Sequence, residues 1–173
     1  MDYRRSLFQI EQWSPLLAKK IWSLTPFITA PFILALGLKI ENLTDNTVEI
    51  RIPFAPQNKN EEGNLHPAAL ITASQFASQV LWRRHVTNKL ETMTLIGLNS
   101  DFHKVGRTRA FIRAALDETE REEILRKMKS GESPSHEMVV VIVDDKNQSL
   151  GQINCTWEFK QLRPLTQLKE IEA

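Results

Sequence analysis

An uncharged stretch in the middle of the chain, from Pro67 to Trp82, predicts a helix that is buried on most sides. Its apolar residues fall nearly all round a helix, and such a helix must be covered by other parts of the protein. Pro67 suits the first helical position, where its missing N–H costs nothing. Cationic side chains at Arg83, Arg84 and His85 follow at the negative end of the helix dipole. Because the stretch is shorter than the roughly 20 residues that a bilayer span needs, we expect it to be buried against a sheet.

One polar stripe interrupts this apolar helix. Thr72, Gln75 and Gln79 follow one another at helical spacing, so they share one face. A buried carboxamide needs hydrogen-bond partners or water. Two interpretations are open: the glutamines bond to neighbouring backbone or across a subunit contact, or they face a ligand.

Alternation of apolar and polar residues on both sides of the helix predicts strands. A hairpin precedes the helix, with one strand from about Leu36 to Glu41 and another from Val48 to Phe54. Four further strands follow the helix: Glu91 to Leu98, Arg107 to Leu116, Met138 to Val143 and Leu150 to Phe159. Between them, Asp117 and Glu120 form a capping-box pattern for a charged surface helix that ends near Lys129, with Gly131 as its stop.

This order of elements predicts an α+β fold, in which an antiparallel sheet of about six strands wraps round one long central helix. The sequence contains no βαβ alternation and no glycine-rich phosphate loop. Since a single curved sheet leaves part of the helix open, we expect a second subunit to cover the rest.

The first part of the chain predicts an N-terminal helical extension over residues 1–33, ahead of a main domain over residues 34–173. Apolar residues recur there at roughly helical spacing from Leu7 to Leu24. The uncharged run from Ile21 to Leu38 raises a membrane or signal-peptide interpretation, but two prolines and a glycine interrupt it. We therefore expect this segment to pack on the body of the protein or on a partner subunit.

Composition narrows the class of protein. The contents of 42% hydrophobic and 25% charged residues are those of an ordinary soluble domain. A formal net charge of +1 gives no case for binding nucleic acid. Cys155 is the only cysteine, which excludes an intramolecular disulfide and a cysteine-rich metal site, and strand alternation places it in the core. A reducing compartment is the simplest fit, so we expect a cytoplasmic protein.

The segment NKNEEGNLHPAAL, from Asn58 to Leu70, resembles the hotdog-fold thioesterases, and within them the phenylacetate-type acyl-CoA thioesterases and the DUF4442 group. Members carry an Asn, two residues, a Gly, a short apolar step and a His, followed by two small residues that open the helix. These positions fall here on Asn60, Gly63, Leu65, His66, Pro67 and Ala68. A later segment, Ser100 to Ala114, is similar to a strand pair of the same family, and the similarity in strand order runs roughly from Leu34 to Leu162.

The resemblance implies a homodimer, with a possible further pairing into a tetramer, whose acyl-thioester tunnel lies between subunits. Coenzyme A would be part of the substrate, and no cofactor or metal is implied. A backbone N–H at the helix start would polarise the thioester carbonyl, and Ala68 could supply it because Pro67 has none. His66 would either bind the substrate or a water, or cap the loop through a backbone hydrogen bond. The implied catalytic set includes Asn60, and Gly63 belongs to the substrate-binding set.

The family's catalytic carboxylate falls on Gln75 in this chain. A carboxamide cannot take a proton, so Gln75 can orient a water or hold the substrate carbonyl but cannot be a general base. Glu61 and Glu62 are the nearby carboxylates, in a loop that we expect to be solvated. Thr72 and Gln79 share the stripe of Gln75 and join the substrate-binding set.

Positive charge in the later segment suits a nucleotide. Lys104, Arg107 and Arg109 lie where the family often meets the phosphates of coenzyme A. The other interpretation is a solvated strand edge that discourages aggregation.

The leading hypothesis is therefore an acyl-CoA thioesterase that hydrolyses, or at least binds, a fatty or aryl acyl thioester. The alternative is a non-catalytic hotdog protein that binds an acyl group or another ligand, or simply dimerises, without the helix carboxylate. A hotdog hydratase would need a His and a carboxylate that face each other, and the sequence shows no such partner for His66.

Overall fold

The computed structural model describes residues 31–86 and 91–161, which form one antiparallel sheet with a long helix packed on it. In chain order the elements are α1 (Pro31–Ala35), β1 (Lys39–Leu43), β2 (Thr47–Ile52), a 3-10 turn (Pro56–Asn58), α2 (Pro67–Arg83), β3 (Glu91–Phe102), β4 (Ala110–Ala115), α3 (Glu118–Lys129), β5 (Ser135–Asp144) and β6 (Ser149–Gln161). The predicted α+β architecture is confirmed.

The sheet of the described chain has six strands in the order β1-β2-β4-β5-β6-β3, and every neighbouring pair is antiparallel. Strands β1 and β3 are therefore its two edges. Strand β3 is 12 residues long and pairs along its length with β6. Among the described residues its other side has no partner strand, and an edge of this kind can be used by another chain for strand pairing.

The core lies between α2 and the inner face of the sheet, where α2 contacts β2, β4, β5 and β6. Ile50, Ile112 and Ile142 are direct cross-strand partners on three adjacent strands, and each is 0% exposed. On the helix, Ala73 and Ala77 are also 0% exposed, and their small side chains let the helix approach the sheet closely. Burying one such isoleucine stabilises the fold by about 1.5–3 kcal/mol, so this row is a major part of the core.

Two strands begin later than alternation predicts. The first predicted strand started at Leu36, but Leu36 and Gly37 form the turn that ends α1, where Gly37 has φ of 63° and donates its N–H to the Leu34 carbonyl at 2.9 Å. Leu36 is nevertheless buried, which explains the misleading pattern. Strand β4 begins at Ala110 rather than Arg107, so the preceding residues belong to a loop.

The predicted surface helix is confirmed as α3. The Asp117 carboxylate accepts the N–H groups of Thr119 at 2.8 Å and of Glu120 at 3.2 Å. The Glu120 carboxylate does not complete the capping box, because it lies 3.2 Å from Nε2 of His136 instead. Gly131, with φ of 86°, follows the helix as predicted.

The boundary predicted between residues 33 and 34 falls within α1, and most of the predicted N-terminal extension lies outside the described residues. The extension therefore stays a prediction. No helix among residues 31–86 and 91–161 combines the length and the apolar character needed to cross a bilayer.

Candidate functional site

The loop before α2 is closed by Asn60. The Oδ1 atom of Asn60 accepts the Asn64 N–H at 2.9 Å, and its carbonyl accepts the Gly63 N–H at 3.0 Å. Its own N–H donates to the Asn64 carbonyl at 2.8 Å. Gly63 has φ of 77°, which favours glycine at this position. Asn60 and Gly63 thus shape the turn that leads the chain into the helix.

This loop is joined to the segment between β3 and β4. The Leu65 N–H donates to the Gly106 carbonyl at 2.7 Å. The approach favours a glycine, because a Cβ at position 106 would lie 3.1 Å from Cβ of Leu65, closer than an ordinary van der Waals contact. The two sequence segments that carry the family resemblance therefore meet at the start of α2.

His66 caps α2. Its Nδ1 accepts the Ala68 N–H at 3.0 Å, and its carbonyl accepts the N–H groups of Ala69 at 3.0 Å and Leu70 at 3.3 Å. Pro67 has no N–H to offer. The amides of the first helical turn are therefore all engaged, including the Ala68 amide that was the predicted oxyanion donor. A ring nitrogen that accepts a hydrogen bond carries no proton. Because Nδ1 of His66 accepts the Ala68 N–H, the ring proton of His66 sits on Nε2.

The polar stripe of α2 faces away from the sheet. Thr72, Gln75 and Gln79 are half-buried, on the side opposite the fully buried Ala73 and Ala77. Within the described chain, the carboxamides of Gln75 and Gln79 form no hydrogen bond. The bond that Ser78 Oγ donates at 2.9 Å goes to the backbone carbonyl of Gln75 and not to its side chain. Among residues 31–86 and 91–161, the predicted bonds from these glutamines to neighbouring backbone are not found. Bonds across a subunit contact and contact with a ligand both stay predictions.

The predicted cations lie on the segment that meets the helix start. Lys104, Arg107 and Arg109 are exposed, and none of them forms an ion pair with residues 31–86 or 91–161. The Lys104 ammonium donates to Oε1 of Gln148. Thr108 Oγ1 donates to the Asp145 carboxylate at 3.1 Å, which holds this segment against the β5–β6 turn.

The two candidate carboxylates of the loop are exposed. Glu62 accepts a long bond from Nδ2 of Asn64 at 3.3 Å, whereas Glu61 has no hydrogen bond among the described residues. No group of three His, Cys, Asp or Glu side chains in the described chain could hold a metal ion.

Two buried polar features of the molecule are not predicted by its sequence pattern. Asn58 is 0% exposed although it lies in a polar loop, and nothing in its neighbourhood in the sequence signals burial. Ser78 Oγ accepts the indole N–H of Trp157 at 3.1 Å. Beside it, Cys155 is 0% exposed, as predicted from alternation, and burial raises the pKa of its thiol.

A family model described as "Domain of unknown function (DUF4442)" matches residues 18–159. None of the curated proteins matches the sequence.

Three solved structures are similar in fold. A Pseudomonas aeruginosa protein of unknown function, called a probable thioesterase, is 15% identical with a TM-score of 0.75, over 82% of this chain and 95% of that one. A Chlorobaculum tepidum protein of unknown function is 14% identical with a TM-score of 0.74, over 86% and 97%. A Staphylococcus aureus thioesterase with a glutamine-to-alanine substitution is 18% identical with a TM-score of 0.62, over 76% and 99%. At these identities the likeness shows the fold alone, which is the hotdog fold.

Proposed function

This chain belongs to the DUF4442 family, and we propose that it is a thioester hydrolase that cleaves a fatty or aryl acyl-CoA at a homodimer seam. One observation carries the proposal: His66 caps α2 through Nδ1, which leaves Nε2–H as a donor on an exposed side chain. On the open face of the same helix, the carboxamide of Gln75 has no hydrogen-bond partner among residues 31–86 and 91–161. A donor and a water-orienting group are what an acyl transfer to water requires.

The thioester carbonyl is polarised by the His66 side chain in this proposal. The amides of Ala68, Ala69 and Leu70 already have partners, so they stabilise an oxyanion only if the cap breaks. The Nε2–H of a neutral imidazole can donate directly to the developing negative charge, while the nearby positive end of the helix dipole favours that charge.

The attacking water is held by Gln75, whose carboxamide both donates and accepts. Glu61 is the proposed proton acceptor, since it is exposed on the same loop as His66 and has no hydrogen bond among the described residues. Asn60 and Gly63 keep that loop in shape. The balance is that of ordinary hydrolysis: water adds to the carbonyl carbon and its proton goes to the carboxylate. The C–S bond then breaks, and the carboxylic acid returns the proton to the departing sulfur, which leaves as the coenzyme A thiol.

The two ends of the substrate have separate proposed binding groups. Lys104, Arg107 and Arg109 take the phosphates of coenzyme A, because their segment meets the helix start at Gly106. Thr72 and Gln79 line the acyl end on the open face of α2.

A second copy of the chain is proposed to complete the site. The rise of a helix is 1.5 Å per residue, so Gln75 lies roughly 10 Å along α2 from Ala68, too far for easy action on one carbonyl. In a two-fold dimer, His66 of one copy can face Gln75 of the other. The uncovered edge strand β3, where Ile96 and Leu98 are 56% and 39% exposed, is the surface that we assign to this contact.

A second candidate function is acyl binding without turnover. It is favoured by a specific observation, namely that Gln75 stands where the family places a carboxylate and that the Ala68 amide is engaged by His66. Such a protein would hold an acyl thioester in the same tunnel.

Hydrolysis of a panel of aryl and fatty acyl-CoA esters of increasing chain length separates the two functions, with binding of a non-hydrolysable thioether analogue measured by calorimetry. The hydrolase proposal predicts turnover of at least one ester, lost in both His66→Ala and Gln75→Ala. Analogue binding without turnover of any ester supports the second candidate, and neither binding nor turnover contradicts both.

A further inference from the structure

Asn58 joins three separate segments of the chain beside the helix start. Its Nδ2 group donates to the carbonyls of Leu36 and Pro53, each at 2.9 Å. Its own backbone carbonyl accepts the His66 N–H at 2.8 Å. One fully buried residue thus connects the end of α1, the end of β2 and the residue that caps α2.

The orientation of the Asn58 carboxamide is fixed by these partners. Backbone carbonyls only accept, so the amino group and not Oδ1 must face Leu36 and Pro53. The remaining Oδ1 is buried and has no hydrogen-bond partner in the part of the chain that the structure describes. An unsatisfied buried acceptor is unfavourable. The two bonds that Nδ2 donates offset this cost, because turning the carboxamide round would lose both of them.

These contacts act directly on His66. The bond from its N–H to Asn58 holds His66 in extended backbone, with φ of −69° and ψ of 131°. From that backbone position Nδ1 reaches the Ala68 N–H at 3.0 Å. A shift of the Asn58 carbonyl therefore moves the imidazole and weakens the bond that keeps the proton on Nε2.

We propose that Asn58 is a positioning residue for His66, which sets the place and the tautomer of the imidazole by tying it to the ends of α1 and β2. The expected loss of activity when Asn58 is changed rests on the proposed function, whereas the effect of Asn58 on the His66 imidazole does not.

Asn58→Asp tests this role, because aspartate keeps the size of the side chain but replaces the donating group with an acceptor. Asn42→Asp makes the same change on an exposed asparagine of β1 and is the matched control. Amide exchange at His66 and Ala68 and the imidazole nitrogen shifts of His66 are measured by NMR, alongside kcat and KM for acyl-CoA hydrolysis.

We expect Asn58→Asp to speed exchange at both amides about tenfold or more and to shift the imidazole away from the Nε2–H tautomer, with Asn42→Asp unchanged. Misplacement of a catalytic group by about 1 Å can cost about a hundredfold in rate, so kcat should fall at least tenfold while KM changes less than about twofold. Wild-type exchange and tautomer in folded Asn58→Asp would overturn the proposal. If the wild-type protein hydrolyses no ester but the imidazole responds, the positioning role stands and the proposed function fails.

A measurement on the wild-type protein covers the case in which Asn58→Asp does not fold. The side-chain hydrogens of Asn58 and the backbone amide of His66 should exchange through one shared opening, with the same dependence on urea concentration. Different dependences at the two sites would show that the residues open independently, which contradicts the proposal.

Discussion

The Leu65 N–H donates to the carbonyl of Gly106 at 2.7 Å, which brings together two parts of the chain that lie far apart in the sequence. One part carries Asn60, Gly63 and His66, and the other carries the cationic segment between β3 and β4. Neither part is a regular helix or strand at this point. The bond therefore helps to fix the loop that carries the proposed catalytic groups against the segment that carries the proposed phosphate-binding groups.

Gly106→Ala tests this contact. The new Cβ would lie 3.0 Å from Cδ1 and 3.1 Å from Cβ of Leu65, so Leu65 must give way by a few tenths of an ångström. We expect the free energy of unfolding to fall by about 1–3 kcal/mol, the usual cost of overpacking. Urea denaturation measures the loss.

A double-mutant cycle with Leu65→Gly is the control, because it removes every side-chain atom of Leu65 that the new Cβ would meet. Gly106→Ala should cost much less in that background. An equal cost in both backgrounds would show that close contact with Leu65 is not the cause.

The hydrophobic pattern predicted the core well because burial is periodic in helices and strands. It indicated a helix from Pro67 to Trp82 that is buried on most sides, which is confirmed from Ala69 onward, and the core position of Cys155, which is also confirmed. The same pattern misplaced Leu36, since an apolar residue is equally buried in a turn and in a strand.

Hydrogen bonds at the site were beyond the reach of pattern analysis. Whether the Ala68 amide is available depends on where the His66 ring points, and that depends on the backbone bond to Asn58. The burial of Asn58 in turn depends on Leu36 and Pro53, which lie in other segments. Contacts of this kind are set by tertiary structure and leave no periodic signal.

Gln75→Glu should increase thioester hydrolysis. The substitution keeps the length of the side chain and places a carboxylate on the half-buried open face of α2, where it can act as a general base. General-base catalysis contributes about a hundredfold or more when the geometry is right, so we expect kcat to rise by at least about tenfold. Rates are measured on the ester that the wild-type protein cleaves best.

Gln79→Glu is the matched control, since it adds the same charge one helical turn further along the same stripe. It should not raise kcat. Equal gains in both variants would contradict the assignment of the water site to Gln75.

Stability should fall as the pH is lowered below neutrality, because of His85. Burial is the largest cause that lowers the pKa of His85 from its ordinary 6.5, and the charges of Arg121 and Arg84 lower it further, against a hydrogen bond to the Asp45 carbonyl that raises it. The unfolded chain then binds the proton more readily than the folded one. The contribution of His85 to the free energy of unfolding is therefore complete above about pH 6.5 and is lost as the pH falls toward the lowered folded value.

Urea denaturation at intervals between about pH 5 and pH 8 measures this slope, and His85→Gln should flatten it. The pKa of Asp45, lowered by its bond to Arg84, gives a separate loss only below its ordinary value of 3.8. That loss is small because Asp45 is mostly exposed. An unchanged slope in His85→Gln would rule out His85 as its source.

Leu98→Asp should prevent dimer formation without unfolding the protein. Leu98 is 39% exposed on the edge strand β3, opposite Cys155 and therefore on the inner face of the sheet. A charge there would be buried unpaired in the proposed contact. Light scattering should give a dimer for the wild-type protein and a monomer for the variant. Val139→Asp, at a position 46% exposed on β5 in the middle of the sheet, should remain dimeric; a monomer in that case would place the contact on another surface.

Mixed dimers test whether one site takes His66 from one copy and Gln75 from the other. His66→Ala and Gln75→Ala homodimers should each be nearly inactive, because every site lacks one group. If equal amounts are unfolded and refolded together, about half of the dimers are mixed, and each of these has one site with both groups intact. Activity should then recover to about a quarter of the wild-type value. If both groups of a site came from the same copy, every site in the mixed dimer would still lack one of them, and no activity would return. The recovered activity therefore decides between a site shared across the seam and a site within one chain.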